Sequence, residues 1–79
     1  MHGFSVADGI AALVRDATEE GKGNLVGVKV KVGSRLFHDL SELHTAWGLV
    51  TQDTPMEGVE LVIDVVYGRD CVLEALTYD

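Results

Sequence analysis

One apolar segment, residues 59–67, constrains the fold more than any other part of the sequence. Alternate residues from Val59 to Tyr67 form one apolar face, while Glu60 and Asp64 point to the other side. The second face also carries valines, as is typical of a strand that is flanked on both sides. We therefore expect this segment to be the central strand of a sheet.

Length and charge limit the fold and the partners. A chain of 79 residues with 47% hydrophobic residues forms one domain, which we expect to span residues 1–79. Thirteen acidic residues against six basic ones give a net charge of −7, which repels nucleic acid and anionic membranes. Because the sequence has neither a long apolar run nor a signal-peptide pattern, we expect a cytoplasmic protein.

Two segments have the apolar period of amphipathic helices. The first is predicted to begin at the N-cap residue Ser5 and to end at residues 21–24, where glycines favour a helix terminus. The second is predicted to follow the N-cap residue Asp39 and to occupy residues 40–52. Its apolar stripe includes Trp47, which we expect to lie in the core.

Residues 25–32 alternate between apolar and polar positions and are predicted to form a strand. The polar positions include Lys29 and Lys31, whose charges complement those of Glu60 and Asp64. Oppositely charged side chains on adjacent strands stabilise their pairing. This strand is therefore predicted to be a neighbour of the strand at residues 59–67.

Residues 71–78 are predicted to form the third strand, at an exposed edge of the sheet. The connection at residues 68–70 is so short that we expect it to permit only an antiparallel hairpin. The sequence thus predicts an α+β fold in the order α-β-α-β-β, with a three-stranded mixed sheet and two helices packed on one face.

Residue patterns typical of catalysis are missing from the sequence, so we expect a protein that is not an enzyme. Cys71 is a lone cysteine, which excludes an internal disulfide and a four-cysteine zinc site, and we expect no zinc. His38 and His44 are six positions apart, a spacing that does not form a metal-binding pair on a helix.

The amino terminus offers a different kind of metal site. Ni(II) or Cu(II) could be bound in a plane by the Met1 amine, the His2 amide nitrogen and the His2 imidazole. The amide nitrogen of Gly3 could complete the square. These three residues are contiguous, so the hypothesis needs only a free amino terminus.

Two stretches of the sequence are similar to the HypA/HybF family of hydrogenase nickel-insertion proteins. Residues 1–10 resemble the family's Met-His-Glu signature, with Ser5, Ala7 and Ile10 in register, and residues 51–61 resemble its second helix end and following strand. The resemblance implies a mixed three-stranded sheet with two helices. It also implies that nickel binds at the amino terminus, through the histidine that corresponds to His2.

The sequence departs from the family pattern at two places. The family carries a zinc module with two Cys-x-x-Cys pairs before its last strand, where this chain has only residues 68–70. The third residue of the family is a glutamate, whereas Gly3 offers a metal ion only its backbone.

Two functions remain open at this point. The first is a nickel metallochaperone that delivers Ni(II) to a nickel-enzyme precursor, with a nickel-handling GTPase as a further partner. The second is a HypA-like subunit or assembly factor that binds no metal and acts by protein–protein interaction. The exposed edge strand at residues 71–78 favours the second, since it predicts a homo-oligomer or a place in a larger complex. His2 favours the first.

Overall fold

A computed structural model describes the backbone of residues 2–79 and the side chains of residues 4–79. Its elements, in chain order, are α1 (His2–Ala17), β1 (Leu25–Gly33), α2 (Leu40–Thr51), β2 (Glu60–Val66) and β3 (Cys71–Tyr78). The strands form a mixed sheet in which β2 runs parallel and β3 antiparallel to β1. The α+β class and the order α-β-α-β-β are confirmed.

The core lies between the two helices and one face of the sheet. Both helices, β1, β2 and the segment before β2 contribute to one cluster of buried side chains, and half-buried side chains of β3 pack against it. The buried members of the cluster are Ala7, Ile10, Ala11, Val14, Val28, Val30, Val32, Leu43, Ala46, Trp47, Met56, Val59 and Leu61. The core position predicted for Trp47 is confirmed, and its indole nitrogen donates a hydrogen bond to the Val59 carbonyl oxygen at 3.0 Å.

The strand order is β2-β1-β3, so the prediction that residues 59–67 form the central strand is wrong. The central strand is β1, and β2 is an edge strand. The predicted pairing of β1 with β2 and the edge position of β3 are confirmed. The apolar face of β2 also ends early, because Val65 is 43% exposed and Tyr67 is 85% exposed.

The connection from β2 to β3 is a crossover, not the predicted hairpin. Residues 67–70 pass over the end of β1, and β3 pairs with β1 on its far side. Five residue steps separate Val66 from Cys71, and an extended chain of this length spans up to about 17 Å. Skipping one strand requires only about 9.6 Å. A short connection therefore permits the crossover as well as the hairpin.

Helix α1 begins at His2, so the predicted N-cap residue Ser5 lies inside the helix. The additional turn includes Phe4, which packs against the core, and this contact outweighs the preference of serine for a cap. The predicted start of α2 is confirmed, since the Asp39 carboxylate accepts a hydrogen bond from the Ser41 amide at 2.8 Å. Across the described residues, neither helix combines the length and apolar character needed to cross a membrane.

Candidate metal site

Helix α1 begins with two of the three predicted nickel-binding residues, His2 and Gly3. Met1 lies outside the described residues, and only the backbone of His2 and Gly3 is described. The first four amide N–H groups of an α-helix have no carbonyl partner within the helix. The amides of His2 and Gly3 are therefore free of helical hydrogen bonds, and a metal ion can replace their protons without opening α1.

The electrostatics of the helix start favour some metals over others. The N-terminus of a helix is the positive end of its dipole, and the first turn of α1 contains no acidic residue. A cation bound only by neutral ligands is disfavoured at such a position. Each amide nitrogen that loses its proton becomes an anionic ligand, which offsets the charge of the metal ion. The position therefore suits Ni(II) or Cu(II), which prefer planar nitrogen coordination.

The N-terminal half of α1 lies beside the beginning of β3. Val6, Gly9 and Leu13 line an apolar groove of about 280 Å³, together with Leu36 and Cys71. Burial raises the pKa of the Cys71 thiol, which keeps the thiol protonated at neutral pH and makes it a poor metal ligand or nucleophile. Cys71 is a strand residue that packs against the core.

The described residues provide no second candidate for a metal centre. Nowhere among them do three or more histidine, cysteine, aspartate or glutamate side chains come together in a group that could hold a metal ion. His44 is exposed on α2, and His38 lies in the loop before this helix. The metal site predicted at the amino terminus stays a prediction.

A contact at the crossover was missed by sequence reasoning. The Arg35 guanidinium donates a hydrogen bond to the Tyr67 hydroxyl at 3.1 Å, and its central carbon lies 5.5 Å from the centroid of the tyrosine ring. The alternation of residues 59–67 had placed Tyr67 on the core face. The sequence feature that indicates a different position for Tyr67 is Gly68, which follows it directly and marks the end of the strand.

Comparison with known proteins gives a family for the chain. Residues 1–72 match the family described as hydrogenase/urease nickel incorporation, metallochaperone, hypA. The chain is also 36% identical over 70 residues to a Chlorobaculum tepidum protein named hydrogenase maturation factor HypA. That match covers 87% of this chain but only 62% of the relative, so the chain spans less than two thirds of the relative's length. No solved structure matches the chain. Because the family match begins at residue 1 and covers most of the chain, the protein belongs to the HypA family of nickel-incorporation metallochaperones.

Proposed function

We propose that this protein is a maturation factor that binds Ni(II) at its amino terminus and delivers it to the precursor of a nickel enzyme such as a hydrogenase. The observation that carries the proposal is the family match from residue 1, which includes Met1, His2 and Gly3. The protein acts in the cytoplasm as a carrier and not as an enzyme. Its partners are the enzyme precursor and a nickel-handling GTPase.

The proposed site uses four nitrogen atoms in a plane. They come from the Met1 amine, the His2 imidazole and the backbone amides of His2 and Gly3. Neighbouring residues form small chelate rings, so the geometry requires little from the rest of the fold. Nickel displaces protons from the amine and the amides, and the affinity for nickel therefore falls as the pH falls.

Nickel titration of untagged protein that begins at Met1 tests the site. We expect one Ni(II) per chain by calorimetry, with the visible absorption typical of square-planar, nitrogen-ligated nickel. The His2→Ala variant should lose this binding, as should a protein with residues added before Met1. His44→Ala is the matched control, because His44 is exposed on α2, and it should bind nickel like the wild type. Equal nickel affinity in wild type and His2→Ala would contradict the proposal.

A second variant, Gly3→Pro, tests the fourth ligand. Proline has no amide proton to lose, so it cannot supply an anionic backbone nitrogen, yet it is tolerated in the first turn of a helix. We expect weaker nickel binding and the loss of the planar absorption, while the far-ultraviolet circular dichroism stays close to that of the wild type. An unchanged nickel spectrum would remove Gly3 from the site.

A further inference from the structure

The crossover between β2 and β3 forms a surface feature that we call the crossover tip, defined as residues 67–70 together with Arg35. Backbone hydrogen bonds fix it to the end of β1. The Gly33 amide donates to the Asp70 carbonyl oxygen at 2.7 Å, and the Arg35 amide donates to the Gly68 carbonyl oxygen at 2.8 Å. A surface that is held in place before binding loses little conformational entropy when a partner docks.

The crossover tip presents a large aromatic side chain to solvent. Tyr67 is 85% exposed, more than any other large hydrophobic side chain among the described residues. Arg35 contacts this side chain twice, through a hydrogen bond to the hydroxyl and a cation–π contact with the ring. Tyrosine and arginine are among the residue types that are enriched at the energetic hot spots of protein interfaces.

Three of the four polar side chains of the crossover tip, those of Arg35, Tyr67 and Arg69, can donate hydrogen bonds. The Tyr67 oxygen accepts a hydrogen bond from Arg35, so its own proton is available to a further acceptor. The guanidinium of Arg35 keeps further donors, and Arg69 adds an exposed second guanidinium. We propose that the crossover tip is a docking site for a carboxylate-bearing segment of a partner protein.

Charge complementarity supports this occupant. Arg35 and Arg69 against Asp70 give the crossover tip a charge of +1, in a chain whose net charge is −7. A polyanion such as nucleic acid or an anionic membrane contacts a wide area and is repelled by the rest of the chain. A short acidic segment can contact the tip without covering the acidic remainder of the surface. The neighbouring Val65, which is 43% exposed, offers an apolar contact beside the donors.

The proposal is independent of nickel binding and can be tested without the metal. We suggest titrating isotope-labelled protein with a short peptide in which aspartate, leucine and serine alternate, and with the same peptide carrying asparagine for aspartate. The expected result is that amide signals of residues 67–70 and the side-chain N–H signals of Arg35 and Arg69 shift with the acidic peptide. Binding of the asparagine peptide should be weaker by about tenfold, a typical loss for charge-assisted hydrogen bonds.

Three variants complete the experiment. Arg35→Ala and Tyr67→Phe should each weaken binding of the acidic peptide about fivefold or more, since each removes a donor group from the tip. Lys22→Ala is the control, because it removes the same charge from an exposed side chain in the loop after α1. Circular dichroism checks that every variant is folded.

Four results would overturn the proposal. They are equal binding of the two peptides, shifts confined to residues other than Val65 and those of the crossover tip, equal loss of binding in Lys22→Ala and Arg35→Ala, and absence of binding. Inorganic phosphate is added as a competitor in a separate titration. If phosphate displaces the peptide at a lower concentration than free aspartate does, the tip is an oxyanion site and the docking proposal is wrong.

Discussion

Gly33 shows how one residue allows the crossover. A Cβ atom at this position would overlap the carbonyl group of Gly68 and lie 2.7 Å from the Arg69 nitrogen. Real Cβ atoms do not approach backbone atoms so closely. The absence of a side chain at the end of β1 therefore lets residues 67–70 pass directly over the strand.

We predict that Gly33→Ala lowers the free energy of unfolding by about 1–3 kcal/mol, the usual cost of forcing extra atoms into a packed site. Gly48→Ala is the matched control, because Gly48 is exposed inside α2 and has nothing within 4 Å of an added Cβ. This control should gain about 0.5–1 kcal/mol, since alanine is the better helix former. Urea denaturation measures both changes, and equal stability of Gly33→Ala and wild type would contradict the role of Gly33.

At the scale of the elements, a β-bulge on β3 arranges the charges on the exposed face of the sheet. The register between β1 and β3 shifts at Lys29 and Val30, which leaves Glu74 as the extra residue. Its carboxylate lies 3.4 Å from the Lys29 ammonium nitrogen and 3.2 Å from that of Lys31. Glu74 thus forms ion pairs with both lysines of the central strand.

This arrangement predicts a pH dependence of stability. The hydrogen bond from Lys31 lowers the pKa of Glu74 below its ordinary value of 4.5, and the charges of Lys31 and Lys29 lower it further. A carboxylate whose pKa is lower in the folded state stabilises the fold above its ordinary pKa, and this stabilisation is lost as the pH falls through the folded value. Because all three side chains are exposed, we expect a small effect.

Glu74→Gln should therefore be slightly less stable than the wild type at neutral pH, and the difference should shrink as the pH falls below 4.5. The measurement is the urea midpoint across a pH series. Glu60→Gln is a suitable control, since Glu60 is exposed on β2 and lies opposite Gly27 in the register. A stability difference for Glu74→Gln that does not depend on pH would contradict the ion-pair interpretation.

The sequence was sufficient for most elements but not for the strand order. The alternation in residues 25–32 and the Asp39 cap predicted β1 and the start of α2 correctly, because local periodicity and capping depend on near neighbours. Whether β3 pairs with β2 or with β1 depends on a contact between distant parts of the chain. Because β1 and β2 are each apolar on one face, their residue patterns are compatible with β3 as a neighbour of either strand.

The same limit applies to the lysines and to the amino terminus. Lys29 and Lys31 were matched with Glu60 and Asp64, which correctly made β1 and β2 neighbours, yet the ion pairs form with Glu74. No residue pattern in the sequence indicates the bulge that brings Glu74 close to both lysines. At the amino terminus the predicted ligands are contiguous, so the sequence alone defines that candidate site.

For the molecule as a whole, association through the β3 edge stays a prediction. A lysine at an exposed position of β3 tests this prediction. Val72 is the suitable position because it is 52% exposed, whereas Leu76 packs against the core. Val72→Lys should therefore block pairing at this edge without disturbing the core, because charged edge residues oppose strand addition. Val62→Lys, at an exposed position of β2, is the control.

We expect untagged wild type and Val62→Lys to increase in mass with concentration in light scattering, while Val72→Lys remains a monomer. A wild type that is monomeric at every concentration would contradict self-association. Association together with absence of nickel binding would correspond to the alternative function, a HypA-like protein that acts by protein–protein interaction.

The crossover has a consequence for how this fold can be lengthened. Since β2 and β3 each pair with β1 and not with each other, no strand pairing passes through residues 67–70. An insertion at this connection would leave every register in the sheet unchanged, and its two ends would be held about 9.6 Å apart, two strand spacings. A separately folded domain can therefore be inserted at the β2–β3 connection, or removed from it, without a change in the pairing of the strands.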